Sequence, residues 1–305
     1  MKALVTGATG FVGSHLARLL VAEGYDVHAL IRKTSDTWRI SDKLNSLHVI
    51  NGDLVHLGDI EQQLREIRPE ICFHLAWYAV PGKYLTSEEN LEMLVASIHF
   101  ASLMAKLGCK RFIGAGTCLE YDTSLGYLVE SSPIAPGSLY AASKLALRYV
   151  LEQLSAPTTM TFAWPRLFYM YGPFESPLRL VPYIISSLFS KKPAEISGNK
   201  QVRDYLHIED VATALLAVAK SSVDGPVNVG SGEPVTVKDI ARKIGEIMRC
   251  EDLIRPQAPT DESQTPFICA NNSMLKERTG WRPRYDMERG LRHAIDWWKA
   301  RSAAD

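Results

Sequence analysis

The feature that most constrains this chain of 305 residues is a turn with three glycines near its start. The apolar segment 2–6 leads into Gly7, Gly10 and Gly13, and a helical apolar period follows over 11–23. Glycine lets a backbone turn sharply and approach a phosphate, and the N–H groups and dipole of a new helix stabilise an anion. The spacing is GxxGxxG rather than GxGxxG, but a strand before it and a helix after it are the context of a dinucleotide site. The predicted cofactor contacts here are Gly7, Thr9, Gly10, Phe11, Val12 and Gly13.

Composition and charge exclude several classes of protein. The formal net charge is zero and there is no long basic run, which argues against nucleic acid or an anionic membrane surface as a partner. Five cysteines are scattered without a CxxC pair, so we expect neither a disulfide framework nor a metal site. No apolar stretch approaches the length of a membrane span, and the first strand lacks the features of a signal peptide. A cytoplasmic enzyme is expected.

Strand-like and helix-like segments alternate along the first half of the chain. Such alternation predicts βαβ units and a parallel sheet of α/β class, in a Rossmann-type, doubly wound arrangement. The predicted strands are 2–6, 26–31, 47–50, 71–75, 111–116 and 159–164, and the predicted helices are 11–23, 59–67, 88–107 and 138–154. From Pro165 onward prolines become frequent and the pattern irregular. We predict an NAD(P)-binding domain over 1–164 and a smaller, mixed α/β substrate domain over 165–305, and leave open a return of about 202–232 to the first sheet.

The residues at the end of the second predicted strand indicate whether the cofactor is NAD or NADP. In NAD sites an acidic residue at this position binds the ribose 2′-hydroxyl, whereas a nearby arginine accommodates the 2′-phosphate of NADP. Here Ile31 is followed by Arg32 and Lys33, with no carboxylate before Asp36. We therefore favour NADP, read by Arg32, with NAD left possible.

Tyr140 and Lys144 form a YxxxK pair on a predicted helix. Residues four apart share one helix face, and an adjacent ammonium is expected to lower the pKa of the phenol. Such a tyrosine can exchange a proton with a carbonyl or an alcohol. Thr117 supplies a nearby hydroxyl, because it directly follows the strand 111–116, and α/β sheets place ligands at the C-terminal ends of their strands. Thr117, Tyr140 and Lys144 are the predicted catalytic residues.

Taken jointly, these motifs resemble the extended short-chain dehydrogenases/reductases, in the NAD-dependent epimerase/dehydratase group that acts on nucleotide sugars. The resemblance runs almost end to end. Beyond the glycines and the catalytic set, it rests on the segments 52–54, 73–76, 165–173, 201–210, 228–232 and 280–283. It implies a homodimer built through a four-helix bundle of the helices 88–107 and 138–154.

The resemblance also implies ligand contacts. Asp53 and Leu54 would flank the adenine, Leu75 and Ala76 would meet the ribose and phosphates, and Arg203 would bind the diphosphate of a nucleotide sugar. The other implied contacts are Pro165 and Leu167 for the cofactor, and Thr117, Glu120, Arg179 and Val181 for the substrate. Two plain alternatives stay open: Asp53 could cap a turn, and Arg203 could pair with Asp204 at the surface.

Departures from the family pattern narrow the expected chemistry. Dehydratases carry an Asp-Glu pair directly after the threonine, where this chain has Cys118 and Leu119. Double epimerases carry a cysteine and a histidine where it has Leu119 and Arg179. The 4-epimerases usually carry an acidic residue after the second strand. The remaining reaction is NADPH-dependent reduction of the 4-keto group of a dTDP-, CDP- or GDP-linked 4-keto-6-deoxyhexose, which the segment 115–122 also favours. An epimerase, a dehydratase, a non-sugar carbonyl reductase and a non-catalytic NADP sensor stay open.

Overall fold

A computed structural model describes residues 1–197, 200–257 and 267–302. The strands are β1 (Lys2–Thr6), β2 (Asp26–Ile31), β3 (His48–Asn51), β4 (Ile71–His74), β5 (Arg111–Gly114), β6 (Gly116–Thr117), β7 (Tyr127–Leu128), β8 (Thr161–Leu167), β9 (Tyr169–Tyr171), β10 (Ala194–Ile196), β11 (Val202–His207), β12 (Gly225–Val229), β13 (Pro234–Thr236), β14 (Ile254–Pro256) and β15 (Phe267–Ala270). The helices are α1 (Phe11–Ala22), α2 (Glu61–Ile67), α3 (Glu89–Lys106), α4 (Leu139–Ser155), α5 (Leu180–Phe189), α6 (Ile208–Lys220), α7 (Val237–Met248), α8 (Ser273–Thr279) and α9 (Met287–Ser302).

The larger sheet is parallel and doubly wound, which confirms the predicted fold class. Its order is β12-β8-β5-β4-β1-β2-β3, with β6 beside β8. From β1 the chain adds β2 and then β3 on one side. It then returns across the sheet and adds β4, β5, β8 and β12 on the other side of β1. The order therefore reverses beside β1, and ligands of such sheets bind at the carboxyl ends of the strands near this point.

Helices cover both faces of the larger sheet. On one face α1 and α6 bury Leu16, Leu20 and Leu215, and on the other α3 and α4 bury Phe100 and Leu147, all with 0% exposure. Burying one such side chain contributes about 1.5–3 kcal/mol. The sheet is therefore a rigid support for the loops at its edge.

Two predicted strands differ from the structure. The strand predicted over 111–116 is interrupted at Ala115, and the strand predicted to end at residue 164 continues to Leu167. Proline has no N–H for a sheet and is tolerated where pairing changes. Pro165 lies at such a point, because β8 pairs with β5 through Ala163 and with β6 from Arg166 onward.

The smaller sheet draws on both halves of the chain. Its order is β13-β11-β15-β7, and β9 also pairs with β11. The segment 202–232 divides between the two sheets: β11 belongs to the smaller one, whereas α6 packs on the larger one and β12 pairs with β8. Helices α5, α7 and α9 bury a second core around Ile184, Ile244 and Leu291. Among the described residues, no helix is both long and apolar enough to cross a membrane.

Three aromatic rings from distant segments form a cluster that we call the aromatic junction: Trp38 after β2, Phe174 after β9 and Trp297 in α9. The Phe174 ring centroid lies 5.6 Å from that of Trp38 and 4.8 Å from that of Trp297. The guanidinium groups of Arg39 and Arg301 lie 4.4 and 4.2 Å from the Trp38 ring, and Arg39 Nε donates to the Phe174 carbonyl at 2.8 Å. Cation–π contacts of this kind contribute about 0.5–1 kcal/mol each where they are exposed. The junction ties the segment after Arg32 to the smaller sheet.

Candidate active site

The glycine turn is so tight that side chains at Gly7 and Gly13 would collide with the neighbouring backbone. Gly7 has φ +73°, and a Cβ there would lie 2.7 Å from the backbone nitrogen of Ala76. A Cβ on Gly13 would lie 2.1 Å from the Gly7 carbonyl oxygen. Within the described residues no side chain caps α1, and its first turn carries no acidic residue. The N-terminus of α1 therefore fits the diphosphate of a dinucleotide.

Other predicted cofactor residues lie around this turn. Leu75 and Ala76 follow β4 and contact Gly7, where the amide of Ala76 donates to Thr6 Oγ1 at 3.2 Å. Arg32 is exposed directly after β2, and Thr9 is partly exposed. Asp53 accepts from the amide of Val55 at 3.1 Å, so it caps a turn, and Leu54 is buried beside it. Pro165 is buried within β8, whereas Leu167 at its end is partly exposed.

The structure brings the three predicted catalytic residues together. Ser138 caps α4 by accepting from the amide of Ala141 at 3.2 Å, and this start places Tyr140 and Lys144 on successive turns. The phenol of Tyr140 hydrogen-bonds with Thr117. Lys144 Nζ donates to the carbonyl of Ala115 at 2.9 Å, at the break between β5 and β6.

The electrostatics of the pair differ from the prediction. Burial raises the pKa of Tyr140, the nearby Tyr84 adds to this, and the hydrogen bond with Thr117 opposes it. Burial lowers the pKa of Lys144 to about 7. The expected lowering of the phenol's pKa by Lys144 is wrong for this structure, because the ammonium faces Ala115 and the Trp77 ring, whose centroid is 3.9 Å away. Tyr140 therefore holds its proton at neutral pH and can donate it to a carbonyl oxygen.

Glu120 supports Thr117 from behind, so the predicted contact between Glu120 and a substrate does not fit the structure. The side chain is fully buried, and its Oε1 accepts from the Thr117 amide and from Trp164 Nε1, each at 2.9 Å. Its Oε2 pairs with Arg166 Nε at 2.7 Å. Thr117 and Glu120 cap the short 3₁₀ turn 118–120 reciprocally. Both carboxylate oxygens are thus used inside the protein.

The two positions directly after Thr117 carry no available acid or base. Cys118 is 4% exposed, and burial together with Asp204 and Glu120 raises the pKa of its thiol to about 12. Leu119 is apolar, and its amide donates to Thr117 Oγ1 at 3.3 Å. In this part of the site Tyr140 is the group that can deliver a proton.

The other predicted substrate residues lie on the smaller sheet and at the start of α5. Buried Arg203 donates to the Val202 carbonyl and to Gln201 at 2.9 and 3.0 Å, and its guanidinium lies 5.4 Å from the Tyr169 ring. The alternative pairing of Arg203 with Asp204 is wrong, because Asp204 accepts from Ser231, Gly232 and Ala270 instead.

The two predicted substrate residues at the start of α5 differ in exposure. Arg179 is exposed, and its guanidinium lies 5.7 Å from the Tyr84 ring. The predicted contact of Val181 does not fit, because its side chain is 2% exposed within the smaller core.

Aromatic residues that the sequence reasoning did not select line the site. Tyr84 packs edge-on against Tyr140 at 4.9 Å between ring centroids, and Trp77 faces Lys144. Tyr205 lies 5.7 Å from Tyr169. Trp77 and Tyr84 lie in an irregular loop after β4, where no periodic pattern marks them, although the position of this loop at the carboxyl edge of the sheet was a usable signal.

Comparisons with known proteins agree with this geometry. A dTDP-glucose 4,6-dehydratase of Xanthomonas campestris pv. campestris is 26% identical, over 97% of this chain and 92% of its own length. A CDP-abequose synthase of Salmonella muenchen is 25% identical, over 96% of this chain and 97% of its own.

Solved structures share the fold over their whole lengths. A UDP-glucose 4-epimerase of Thermotoga maritima superposes with a TM-score of 0.88 at 23% identity, covering 99% of this chain and 100% of its own. TunA, an NAD-dependent NDP-hexosamine 5,6-dehydratase of tunicamycin biosynthesis, superposes with a TM-score of 0.84 at 28% identity, covering 100% and 99%. The family model of the NAD dependent epimerase/dehydratase family matches residues 3–230, and the chain therefore belongs to that family.

Proposed function

We propose that this protein uses NADPH to reduce the 4-keto group of a nucleotide-linked 4-keto-6-deoxyhexose, a dTDP-, CDP- or GDP-sugar of deoxysugar biosynthesis. One observation carries the proposal: the phenol of Tyr140 lies beside Thr117, while Cys118 and Leu119 offer no second acid–base pair. Elimination of water from a sugar needs an acid and a base in addition to the redox step. Reduction of a ketone needs a hydride and one proton.

The chain's own residues would bind and orient both reactants. The glycine turn and α1 would hold the diphosphate of the cofactor, which supplies the hydride when bound. Thr117 would donate a hydrogen bond to the keto oxygen, and Tyr140 would pass its proton to that oxygen as negative charge develops there. Lys144 would hold the nicotinamide ribose. Fixed geometry would account for much of the rate.

Positive charge on the smaller domain suits the diphosphate of a nucleotide sugar. Arg179 is exposed beside the tyrosines of the site, and Arg203 is buried beneath Tyr169. Arginine is suited to phosphate because its planar guanidinium donates two parallel hydrogen bonds. These two residues favour a nucleotide sugar over a small non-sugar ketone.

An NAD(P)-dependent nucleotide-sugar epimerase is the second candidate. Tyr140 and Thr117 would serve equally well for oxidation and return of hydride at one carbon, and the chain resembles a UDP-glucose 4-epimerase of Mycolicibacterium smegmatis at 24% identity. The two functions differ in cofactor consumption, because an epimerase returns its hydride and a reductase does not.

The test is the decay of NADPH absorbance with a panel of dTDP-, CDP-, GDP- and UDP-linked 4-keto-6-deoxyhexoses. We expect stoichiometric NADPH oxidation with one or two of them. Sugar inversion without NADPH oxidation would favour the epimerase. In a second arm, a 4-hydroxy nucleotide hexose with NADP⁺ is expected to lose no water by mass spectrometry, and loss of water would overturn our interpretation of Cys118 and Leu119.

Replacing Arg32 with aspartate is expected to weaken NADPH binding and to strengthen NADH binding. The exposed guanidinium after β2 would face the 2′-phosphate, and a charge-assisted hydrogen bond of this kind contributes about 1.5–3 kcal/mol. Fluorescence titration of both cofactors measures the change. Lys192→Asp, at an exposed position after α5, is the matched control for charge. Equal NADPH affinity in Arg32→Asp and in the control would rule out this role.

We also propose a homodimer formed through α3 and α4. The neighbouring helices expose apolar side chains to solvent: Leu91 and Val95 on α3 are 49% and 53% exposed, and Tyr149 on α4 is 48% exposed. Contiguous exposed apolar surface favours association. Val95→Glu is expected to give a monomer by sedimentation velocity, whereas Leu125→Glu, at a 51% exposed position outside these helices, is expected to leave the dimer intact. A monomeric wild-type protein would refute the proposal.

A further inference from the structure

A buried carboxyl group beside the site has one oxygen without a partner. Glu175 lies in the loop between β9 and α5 and is 6% exposed. Its carboxyl accepts from the backbone N–H of Gly172, but Oε2 is buried with no hydrogen-bond partner among the described residues. Leaving a buried polar atom unpaired is costly. Such an atom has a hydrogen-bonding position that a ligand could fill.

The neighbours of Glu175 connect it to the catalytic end of the site. Arg179 of the same loop acts on it electrostatically, and Arg179 in turn lies over the Tyr84 ring, which packs against Tyr140. On the other side Glu175 acts on Tyr205, which packs against Tyr169. Glu175 is therefore near Arg179 and Tyr205, and these two residues contact other tyrosines of the site.

The protonation state of this carboxyl suits a donor. Burial raises the pKa of Glu175 to about 8, while Arg179 and the Gly172 amide oppose that rise. A diphosphate close to Arg179 would raise the pKa further, because a second negative charge disfavours ionisation. The group would then remain a neutral acid with one O–H to donate. An O–H that donates to an anionic oxygen forms one of the strong classes of hydrogen bond.

We propose that Glu175 is a substrate-binding residue that donates a hydrogen bond from its carboxyl group to a diphosphate oxygen of the nucleotide sugar. This inference rests on the proposed function for the class of substrate and for the place of the diphosphate beside Arg179. It adds a neutral donor to the two arginines, and it explains why a carboxyl group is buried next to an anion-binding site.

The test compares Glu175→Gln, which retains a neutral donor, with Glu175→Leu, which removes it. Binding is measured by calorimetry with dTDP-, CDP-, GDP- and UDP-glucose in the presence of NADP⁺, using whichever sugar binds the wild type most tightly. We expect Glu175→Leu to raise Kd by about tenfold and Glu175→Gln to change it by less than about threefold. The corresponding nucleoside diphosphate should show the same losses. Wild-type affinity in Glu175→Leu would overturn the proposal, as would no binding of any of the sugars to the wild type.

The pH dependence of binding separates a donor from a merely structural residue, and the pH dependence of stability checks the protonation state. Above pH 8 the carboxyl ionises, so the wild-type Kd should rise while that of Glu175→Gln stays level. Without ligand, the folded state binds this proton more tightly than the unfolded state does, so wild-type stability falls between the ordinary carboxyl pKa and about 8. As the pH rises through that range, the melting temperature of Glu175→Gln should therefore increase relative to that of the wild type. If the Kd values of the wild type and of Glu175→Gln change with pH in the same way, the proposal is overturned.

These outcomes are distinguishable from failure of the reductase proposal. If NADPH is not oxidised but Glu175→Leu still loses affinity for the nucleotide sugar, the reaction is wrong and the contact stands. If reduction occurs and both variants bind as the wild type does, the reaction stands and the contact is wrong.

Discussion

Replacing Tyr140 with phenylalanine is expected to lower kcat by about 10²–10⁴-fold, because this is the usual contribution of a positioned general acid. The ring remains and its packing against Tyr84 is retained, so cofactor affinity should not change. The loss should appear in kcat rather than in binding, since the proton is transferred only as the transition state forms. Steady-state kinetics on the 4-keto-6-deoxy nucleotide sugar, with NADPH titrated separately, measures both quantities.

Two further variants and one control sharpen this experiment. Thr117→Val should act mainly on kcat, whereas Lys144→Ala should reduce kcat and also cofactor affinity, because the ammonium would hold the ribose as well. Tyr149→Phe removes the hydroxyl of an exposed tyrosine on the same helix and should have no effect. If Tyr140→Phe retains the kcat of the Tyr149→Phe control, the phenol is not the proton donor and the reductase proposal loses its main support.

Replacing Glu120 with alanine is expected to lower the free energy of unfolding by about 3–5 kcal/mol, the usual cost of removing one partner of a buried ion pair. Glu120 is 0% and Arg166 1% exposed, and the change would leave the guanidinium without its carboxylate. It would also remove the acceptor of the Thr117 amide and of Trp164 Nε1. Chemical denaturation measures the loss.

An exposed ion pair is the matched control for Glu120. Glu152 pairs with Arg148 at 2.8 Å on the surface of α4, and Glu152→Ala should cost less than about 1 kcal/mol. Glu120→Gln tests positioning separately, because the amide can still accept from Thr117 while the charge is lost. We expect Glu120→Gln to retain more kcat than Glu120→Ala at equal cofactor affinity. Similar unfolding free energies for Glu120→Ala and Glu152→Ala would show that the buried pair has no net role.

Local patterns were sufficient to predict the larger sheet except its edge strand β12, which was left open. Each strand is a short apolar run and each helix has its own period, so β1, α1 and β2 follow from adjacent residues. The glycine turn and the Tyr140–Lys144 pair could also be predicted. The spacing of the glycines implies a turn, and the four-residue spacing of Tyr140 and Lys144 implies a shared helix face. The smaller sheet could not be predicted in the same way. Strand β7 has two residues and pairs with β15, more than a hundred residues later, so no local pattern specifies the pairing.

The sequence did not predict the roles of two carboxyl groups, because both side chains turn into the protein interior. Glu120 was predicted to meet substrate, but the 3₁₀ turn after Thr117 reverses its direction and buries it against Arg166. Glu175 gave no signal in the sequence, because no apolar pattern marks its burial. The residue before it, Phe174, has φ +66°, a conformation that a phenylalanine adopts only when its surroundings hold it there. In both cases the local backbone conformation, which no apolar pattern marks, accompanies the burial of a carboxyl group.

The aromatic junction has a consequence for exchanging parts between relatives. The backbone that follows Arg32, the loop that carries Glu175 and the last helix all meet at Trp38, Phe174 and Trp297. Grafting a foreign loop that lacks Trp38 would expose Phe174 and relax the loop that carries Glu175, so a change intended for the proposed cofactor site would also disturb the proposed sugar site. A functional chimera would therefore have to take all three rings from the same parent. This is a strong constraint, because each ring is more than a hundred residues from the next in the sequence.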